Sequence, residues 1–312
     1  MRNMDKPNCY LIGGDTLLME CGRQLIDGGF DLTGVISRSA RIEAWAAENG
    51  LPFISLDSDY LAAMEANPVD YLLSITHLQV LPERALACAR RLCINFHDGP
   101  LPRYAGLNTP AWALINGESE YGITWHAIVP GIDEGDILLQ ENITIAPDET
   151  SLSLNTKCFA TALESFPKLL QGIQDGTLQP VPQDLGQRHY YSRNRRPDNA
   201  GVLDFNQSAS LLEALVRALE FGNYPNPLGS AKLLTQKGAW IVRGAVERDG
   251  NGTPGTLLAI NEGELEVATG EGSLVITDLT DLYGIAQATS TVATDMGWQV
   301  GDSLGCLDEN TQ

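Results

Sequence analysis

The chain has 312 residues, enough for two domains or one large domain. Apolar residues make up 43% of the sequence and aromatic residues 7%, so the chain can bury a core, which excludes a disordered protein. Asp and Glu number 40 against 20 Lys and Arg, and the formal net charge of −20 disfavours nucleic acids and anionic membranes as partners.

Targeting signals and disulfides are not expected. No window of about 18 apolar residues occurs, and the apolar run near the N-terminus is too short for a secretory signal. The cysteines form no CxxC pair and several lie in apolar runs, which predicts reduced, buried thiols in a cytoplasmic protein. The six cysteines are Cys9, Cys21, Cys88, Cys93, Cys158 and Cys306.

The first part of the chain alternates short apolar strands with helical patterns. Strands are predicted over 9–13, 31–37, 51–55, 69–75 and 91–96, and helices over 16–28, 41–50 and 82–90. Near-continuous apolar strands that alternate with helices predict an α/β domain, Rossmann-like, with a mostly parallel sheet and helices on both faces.

The middle and the end of the chain have a different organisation. After a long loop, a helix is predicted over 111–118, strands over 121–129 and 135–145, and a helix over 151–176. Near residue 180 the sequence becomes rich in Pro, Gly, Asn and Arg, which predicts a linker. One amphipathic helix and several short strands with glycine turns follow, which predicts a small β-rich domain. The predicted boundaries are a first domain over 1–185, a linker over 186–204 and a second domain over 205–312.

Two polar residues, Asn95 and His97, lie at the end of the strand predicted over 91–96. Ligands bind at the carboxyl ends of strands in open α/β sheets, and strand residues two apart project to the same side. An amide and an imidazole there would donate hydrogen bonds to an oxygen that becomes negative when a carbonyl is attacked. The alternative is that both residues cap the strand and bond the following loop.

A second polar stretch, GIDEGD at 131–136, sets three acids between glycines in a turn. A carboxylate brought to the His97 ring would hold its tautomer and favour its protonated form. Most acidic glycine turns are only turns. Within the stretch Asp136 competes with Asp133 for such a role, although its place before Ile137 predicts that it starts a strand.

Together these stretches resemble a family. NFHDGPLPRYAG, at 95–106, resembles the Asn-x-His-Pro-Ser-Leu-Leu-Pro-x-x-x-Gly stretch of folate-dependent formyltransferases, and GIDEGDIL resembles their Leu-Asp-Thr-Gly-Asp-Ile/Met-Leu motif. SITHLQVLP, at 74–82, is similar to their pterin-contacting loop. The resemblance covers residues 8–180 well and continues more weakly into a part similar to the C-terminal barrel of methionyl-tRNA formyltransferase. It is closer still to formyltransferase-like domains of nonribosomal peptide and related assembly-line enzymes.

The resemblance implies an N-formyltransferase that takes a formyl group from 10-formyltetrahydrofolate. The acceptor would be an amine of a small or carrier-protein-tethered substrate in natural-product or sugar metabolism. The net charge of −20 adds the expectation of no nucleic acid and no membrane as partner. Further domains of a multidomain synthase are candidate partners, because the chain is expected to be one module of a longer protein. The second domain would be an OB-like barrel.

The resemblance also implies the site residues. Catalysis would fall to Asn95, His97 and Asp133. The folate site would consist of Gln79, Val80, Leu81, Gly131 and Ile132. No metal is expected, because the four histidines lack ligand spacing. The chain departs from the family pattern at Asp98 and Gly99, which stand where the family has Pro and Ser, and Asp98 puts another anion beside His97.

Three other functions stay open. They are a hydrolase that releases formate from the folate, a non-catalytic folate-binding or docking module of an assembly-line enzyme, and a nicotinamide oxidoreductase. The last is disfavoured because Gly13 and Gly14 do not complete a GxGxxG fingerprint.

Other residues have a plainer interpretation. His126 is predicted to be a packed strand residue, and His77 either a loop residue or part of the folate site. The run of Arg193, Arg195 and Arg196 is predicted to be a solvated linker, with a phosphate contact as the alternative.

Overall fold

The structure is a computed structural model that describes residues 6–304. The chain divides into two compact units. The first contains the chain up to Thr109 together with Glu120–Thr144 and Asn155–Ser192. The second contains Pro110–Ser119, Ile145–Leu154 and the chain from Arg193 onward.

Strands and helices alternate through the first half of the chain, as predicted, and strands dominate the second. The strands are β1 (Asn8–Gly13), β2 (Asp31–Ser37), β3 (Phe53–Ser55), β4 (Val69–Ile75), β5 (Ala89–His97), β6 (Ala105–Gly106), β7 (Glu120–Ala127), β8 (Ile137–Thr144), β9 (Tyr190–Tyr191), β10 (Lys232–Thr235), β11 (Gly238–Arg248), β12 (Leu257–Asn261), β13 (Glu264–Ala268), β14 (Ser273–Thr280) and β15 (Ala286–Gln287). The helices are α1 (Asp15–Asp27), α2 (Ala40–Glu48), α3 (Tyr60–Ala66), α4 (Glu83–Leu86), α5 (Thr109–Ile115), α6 (Ser151–Asp175), α7 (Ala209–Ala218) and α8 (Thr289–Met296).

A seven-stranded sheet forms the centre of the first unit, in the order β3-β2-β1-β4-β5-β7-β8. Strands β1 to β5 pair in parallel, whereas β7 and β8 are antiparallel additions at one edge. All but one residue of β1 and of β4 are buried, as expected for apolar strands covered on both faces. The predicted mostly parallel α/β sheet is therefore confirmed.

The pairing of β5 with β7 determines which polar side chains come together. In this antiparallel pair, Asn95 is opposite His126 and His97 is opposite Thr124. Residues that face each other across neighbouring strands have side chains on the same face of the sheet. The end of β5 therefore presents its polar residues beside those of β7.

The second unit contains an antiparallel sheet in the order β10-β11-β14-β13-β12, with β15 paired to β14. Helix α7 packs on β11 and β14, and α8 packs on β12, β13 and β14. In β13 the buried Leu265 and Val267 alternate with the half-buried Glu264 and Glu266, as expected for an antiparallel sheet with one covered face. This unit confirms the predicted β-rich C-terminal part.

Two other sequence expectations can be compared with the structure. Five cysteines are free and buried, while Cys306 lies outside the described residues. Part of the stretch predicted as a linker forms a strand, because β9 pairs in parallel with β6 through Ala105 opposite Tyr190. Over residues 6–304 we find no helix with the length and apolar character needed to cross a membrane.

Candidate active site

Asn95 is oriented by its neighbours on both sides of β5. The hydroxyl of Ser74, on β4, donates to Asn95 Oδ1 at 2.8 Å. Asn95 Nδ2 is 3.2 Å from His126 Nε2, on β7. His126 Nδ1 lies 2.8 Å from the backbone oxygen of Ala127, which can only accept, so Nε2 of the neutral ring is an acceptor and the amide nitrogen of Asn95 is the atom that faces it.

His97, the last residue of β5, is buried, with only 5% of its side chain exposed. Its Nε2 is 2.5 Å from the backbone oxygen of Tyr104. A carbonyl oxygen can only accept, so this nitrogen carries the proton of the hydrogen bond. The other ring nitrogen, Nδ1, then faces Asp133 Oδ2 at 3.8 Å. This separation is longer than a hydrogen bond but short enough for strong charge interaction in a buried site.

Asp133 lies in the turn between β7 and β8 and has a left-handed backbone conformation, with φ of 55°. The Gly106 N–H donates to its Oδ2 at 2.8 Å, and its Oδ1 is 3.5 Å from His126 Nε2. Burial by itself would raise the pKa of the Asp133 carboxyl, but the two histidine rings and the Gly106 N–H outweigh burial and lower this pKa below its usual range. The structure therefore holds Asp133 ionised.

The turn that carries Asp133 is packed closely against β7. Gly135 lies so near to it that a Cβ atom there would be 1.8 Å from the backbone oxygen of Ala127. Only glycine allows the two backbones to approach this closely. Asp136 directly precedes β8, and its backbone oxygen accepts from the Ala127 N–H at 2.9 Å. This is the strand-starting position predicted for Asp136.

His126 is a member of the cluster that sequence reasoning did not include. It is buried in β7, as predicted, with 3% of its side chain exposed, and its Nδ1 donates to the Ala127 backbone oxygen at 2.8 Å. Its Nε2 faces both the Asn95 amide and the Asp133 carboxylate. In the neutral ring Nε2 accepts from Asn95, and in the charged ring it carries a proton towards Asp133.

Known proteins match most of the chain in sequence. A family model described as formyl transferase matches residues 35–170, and one described as formyl transferase, C-terminal domain, matches residues 197–291. Methionyl-tRNA formyltransferase of Geobacter metallireducens is 31% identical over 273 residues, which cover 82% of this chain and 85% of that protein. The chain belongs to the folate-dependent formyltransferase family. The predicted family and the predicted N-formyltransferase enzyme class are thus confirmed.

Further formyltransferases share sequence or fold with the chain. Methionyl-tRNA formyltransferase of a Synechococcus species is 30% identical over 245 residues, covering 78% of this chain and 74% of that protein. The N-formyltransferase from Helicobacter canadensis, solved with folinic acid and dTDP-3-aminofucose, has a TM-score of 0.71 at 20% identity and covers 88% of this chain and 100% of its own. WlaRD, a sugar 3N-formyltransferase solved in the presence of dTDP and 5-N-formyl-THF, has a TM-score of 0.70 at 19% identity, covering 91% and 97% of the two chains.

The loop after β4 contains three of the five residues predicted to hold the folate of a formyltransferase. Gln79 and Val80 are exposed, and Val80 has 69% of its surface accessible. Leu81 is buried in an apolar cluster with Ala85 and Cys88, so it anchors the loop rather than offering its side chain.

The other two predicted folate residues, Gly131 and Ile132, lie in the turn that carries Asp133. Ile132 is 40% exposed. A pterin ring has apolar faces and a polar edge, so exposed apolar side chains such as Val80 and Ile132, next to main-chain polar groups, fit its chemistry. Within residues 6–304 no group of His, Cys, Asp and Glu side chains could hold a metal ion.

The two departures from the formyltransferase pattern are accommodated by local packing. Thr109 donates to both the backbone oxygen and Oδ1 of Asp98 at 3.3 Å. Burial raises the pKa of the Asp98 carboxyl, which lies 3.9 Å from His97 Nδ1. At Gly99 a Cβ atom would lie 2.8 Å from His97 Nε2, so glycine leaves the ring room in this loop. The loop is therefore built around the position of His97.

Proposed function

We propose that this enzyme transfers a formyl group from 10-formyltetrahydrofolate to an amine on a small or carrier-bound substrate. The observation that carries the proposal is the convergence of an ionised Asp133 on His97 and His126, beside the Asn95 amide. These groups supply a hydrogen-bond donor for a carbonyl oxygen and an acid–base pair for an amine proton.

When bound, 10-formyltetrahydrofolate supplies the formyl group, whose carbonyl carbon the amine attacks. Asn95 Nδ2 is the donor that stabilises negative charge on the carbonyl oxygen, and its amide is already oriented by Ser74. When Nδ1 of His97 also carries a proton, beside Asp133, the ring supplies a second hydrogen-bond donor. Removing one such donor from an enzyme typically lowers the rate about 100- to 1,000-fold.

Asp133 has two tasks in this proposal. Its negative charge faces His97 Nδ1 at 3.8 Å, and it orients a bridging water that takes the proton that the attacking amine loses. The same proton is then returned to the folate nitrogen as its bond to the formyl carbon breaks. Because the pKa of Asp133 lies below its usual range, its carboxylate is available throughout the neutral pH range.

The charge of the chain supports a small or carrier-bound acceptor rather than a tRNA. Recognition of a tRNA backbone depends on basic residues, and this chain has 40 acidic residues against 20 Lys and Arg. The sequence relatives described above are named methionyl-tRNA formyltransferases, whereas the two structural neighbours are named as an N-formyltransferase solved with an amino sugar nucleotide and a sugar 3N-formyltransferase. An assembly-line carrier as acceptor is supported by the resemblance to synthase modules alone.

A direct assay tests the proposal. The enzyme is mixed with 10-formyltetrahydrofolate and, in separate reactions, an amino sugar nucleotide, an aminoacyl carrier protein, a free amino acid derivative or methionyl-tRNA, and tetrahydrofolate formation is followed by absorbance. Amine-dependent turnover with formylated product supports the proposal. Formate release without amine identifies a hydrolase, and the absence of folate binding in calorimetry identifies a docking module.

A further inference from the structure

Gln183 contacts the turn of Asp133 from a distant part of the first unit. It lies after α6, in the stretch where the composition of the sequence changes. Its side-chain Nε2 donates to the backbone oxygen of Asp133 at 2.9 Å and to that of Gly135 at 2.6 Å. The amide of Gln183 therefore binds the backbone of Asp133, which carries the catalytic carboxylate, and the backbone of Gly135.

Arg188, on the same segment, bonds the other side of the turn. Its guanidinium donates to the backbone oxygen of Ile132 at 2.9 Å and lies 3.6 Å from the carboxylate of Glu134. It also stacks 4.9 Å from the ring centroid of Tyr190, which belongs to β9. The two side chains together bind three backbone oxygens of the turn.

The turn needs such support because its conformation is unfavourable on its own. Asp133 has a positive φ, a region that residues other than glycine seldom adopt. The backbone oxygens of Ile132, Asp133 and Gly135 accept hydrogen bonds from these two side chains, so the direction of the main chain in the turn depends on them. A rotation of the main chain at residue 133 would move the carboxylate away from the histidine rings.

We propose that Gln183 is a positioning residue for formyl transfer, whose amide fixes the main chain of the turn so that the Asp133 carboxylate faces His97 and His126. This inference rests on the proposed function, because it assigns Asp133 to catalysis. Gln183 itself acts only through Asp133.

The orientation of the Gln183 amide follows from its partners. If the amide were flipped, Oε1 would face two carbonyl oxygens and repel both. In the orientation observed, Oε1 is buried and finds no hydrogen-bond partner within residues 6–304. Replacing Nε2 with an acceptor oxygen therefore turns the two hydrogen bonds into two repulsive contacts between oxygens, with little change in side-chain volume.

Gln183→Glu makes this change, and Gln179→Glu is the matched control, since Gln179 is exposed on the same segment. With 10-formyltetrahydrofolate and an accepted amine, we expect kcat of Gln183→Glu to fall between about 10- and 100-fold, the range caused by misplacing a catalytic group. KM should change less than kcat. A loss that falls on kcat is the sign of a misplaced catalytic group, because it removes an interaction made in the transition state rather than in substrate binding.

A merely structural role would lower stability while kcat of the folded enzyme stays at the wild-type value. Wild-type kcat, or a loss that falls on KM rather than on kcat, in a folded Gln183→Glu enzyme would overturn the inference. If Gln183→Glu does not fold, Gln183→Met removes the donor without adding charge, and a smaller loss of kcat with little change in KM is expected.

Hydrogen exchange followed by mass spectrometry separates this inference from the proposed function. Peptides that cover residues 131–136 should exchange faster in Gln183→Met than in the wild-type protein and in Gln179→Glu. Unchanged exchange would contradict the role of Gln183 in holding the turn, whatever the activity. If the wild-type protein consumes no formylfolate but residues 131–136 still exchange faster in Gln183→Met, then the proposed function is wrong, while the role of Gln183 in holding the turn is supported.

Discussion

Asp133 and His126 face each other across 3.5 Å, from the turn after β7 and from β7 itself. His97, at the end of β5, faces the same carboxylate at 3.8 Å. Each imidazole donates its other N–H to a backbone oxygen, His97 to Tyr104 and His126 to Ala127. One nitrogen of each ring thus faces Asp133, and the hydrogen bonds to backbone oxygens hold both rings in place.

His97→Ala should abolish most of the formyl transfer while leaving the protein folded. The substitution removes the ring that pairs with Asp133, so we expect kcat to fall about 100- to 1,000-fold. Binding of the folate should change little, since its proposed site lies on the loops after β4 and β7. Steady-state kinetics and calorimetry with the folate check both expectations, and undiminished turnover in this variant would exclude His97 from catalysis.

His126→Phe should lower the rate less than His97→Ala. The variant keeps a buried ring in β7 but removes the acceptor for Asn95 and one neighbour of Asp133. Loss of a hydrogen bond worth about 1 to 1.5 kcal/mol corresponds to about a 5- to 10-fold decrease in kcat. Kinetic assays and a thermal melt provide the measurement. A loss as large as that of His97→Ala would show that His126 takes part in the chemistry directly.

Asp98→Asn should stabilise the protein near neutral pH. Burial raises the pKa of Asp98 in the folded state, so the ionised carboxyl that exists at neutral pH opposes folding. Asparagine resembles the protonated acid, and it retains an oxygen that accepts from Thr109. The gain in melting temperature should disappear below the pKa of Asp98 in the unfolded chain, where both states are protonated. A lower melting temperature at pH 7 would contradict this explanation.

The fold could be predicted largely because apolar runs mark buried strands. The strands predicted over 31–37 and 69–75 have the observed bounds of β2 and β4. Helix α8 was not predicted, since its sequence TSTVATDM has residues of low helix propensity and is stabilised by packing on the second sheet. The pairing of β9 with β6 could not be predicted either, because two-residue strands have no periodicity.

Site residues could be predicted from the sequence where they lie close together along the chain, and not where the fold brings distant segments together. Asn95 and His97 are recognisable because they are two apart at the end of one strand. Asp133 required resemblance to a family, since an acidic turn alone predicts no partner. His126 and Gln183 depend on strand register and on a contact between distant segments, which a single sequence does not encode visibly.

Asp133→Asn, measured beside Asp136→Asn, tests the central claim most directly. Amine-dependent conversion of 10-formyltetrahydrofolate is followed for both variants and for the wild-type enzyme, with folate binding measured by calorimetry. We expect Asp133→Asn to lose at least about 100-fold in kcat, because it removes the charge that pairs with His97, while Asp136→Asn stays within a few-fold of the wild type. Equal activity of Asp133→Asn and the wild type, or a larger loss in Asp136→Asn, would contradict the account.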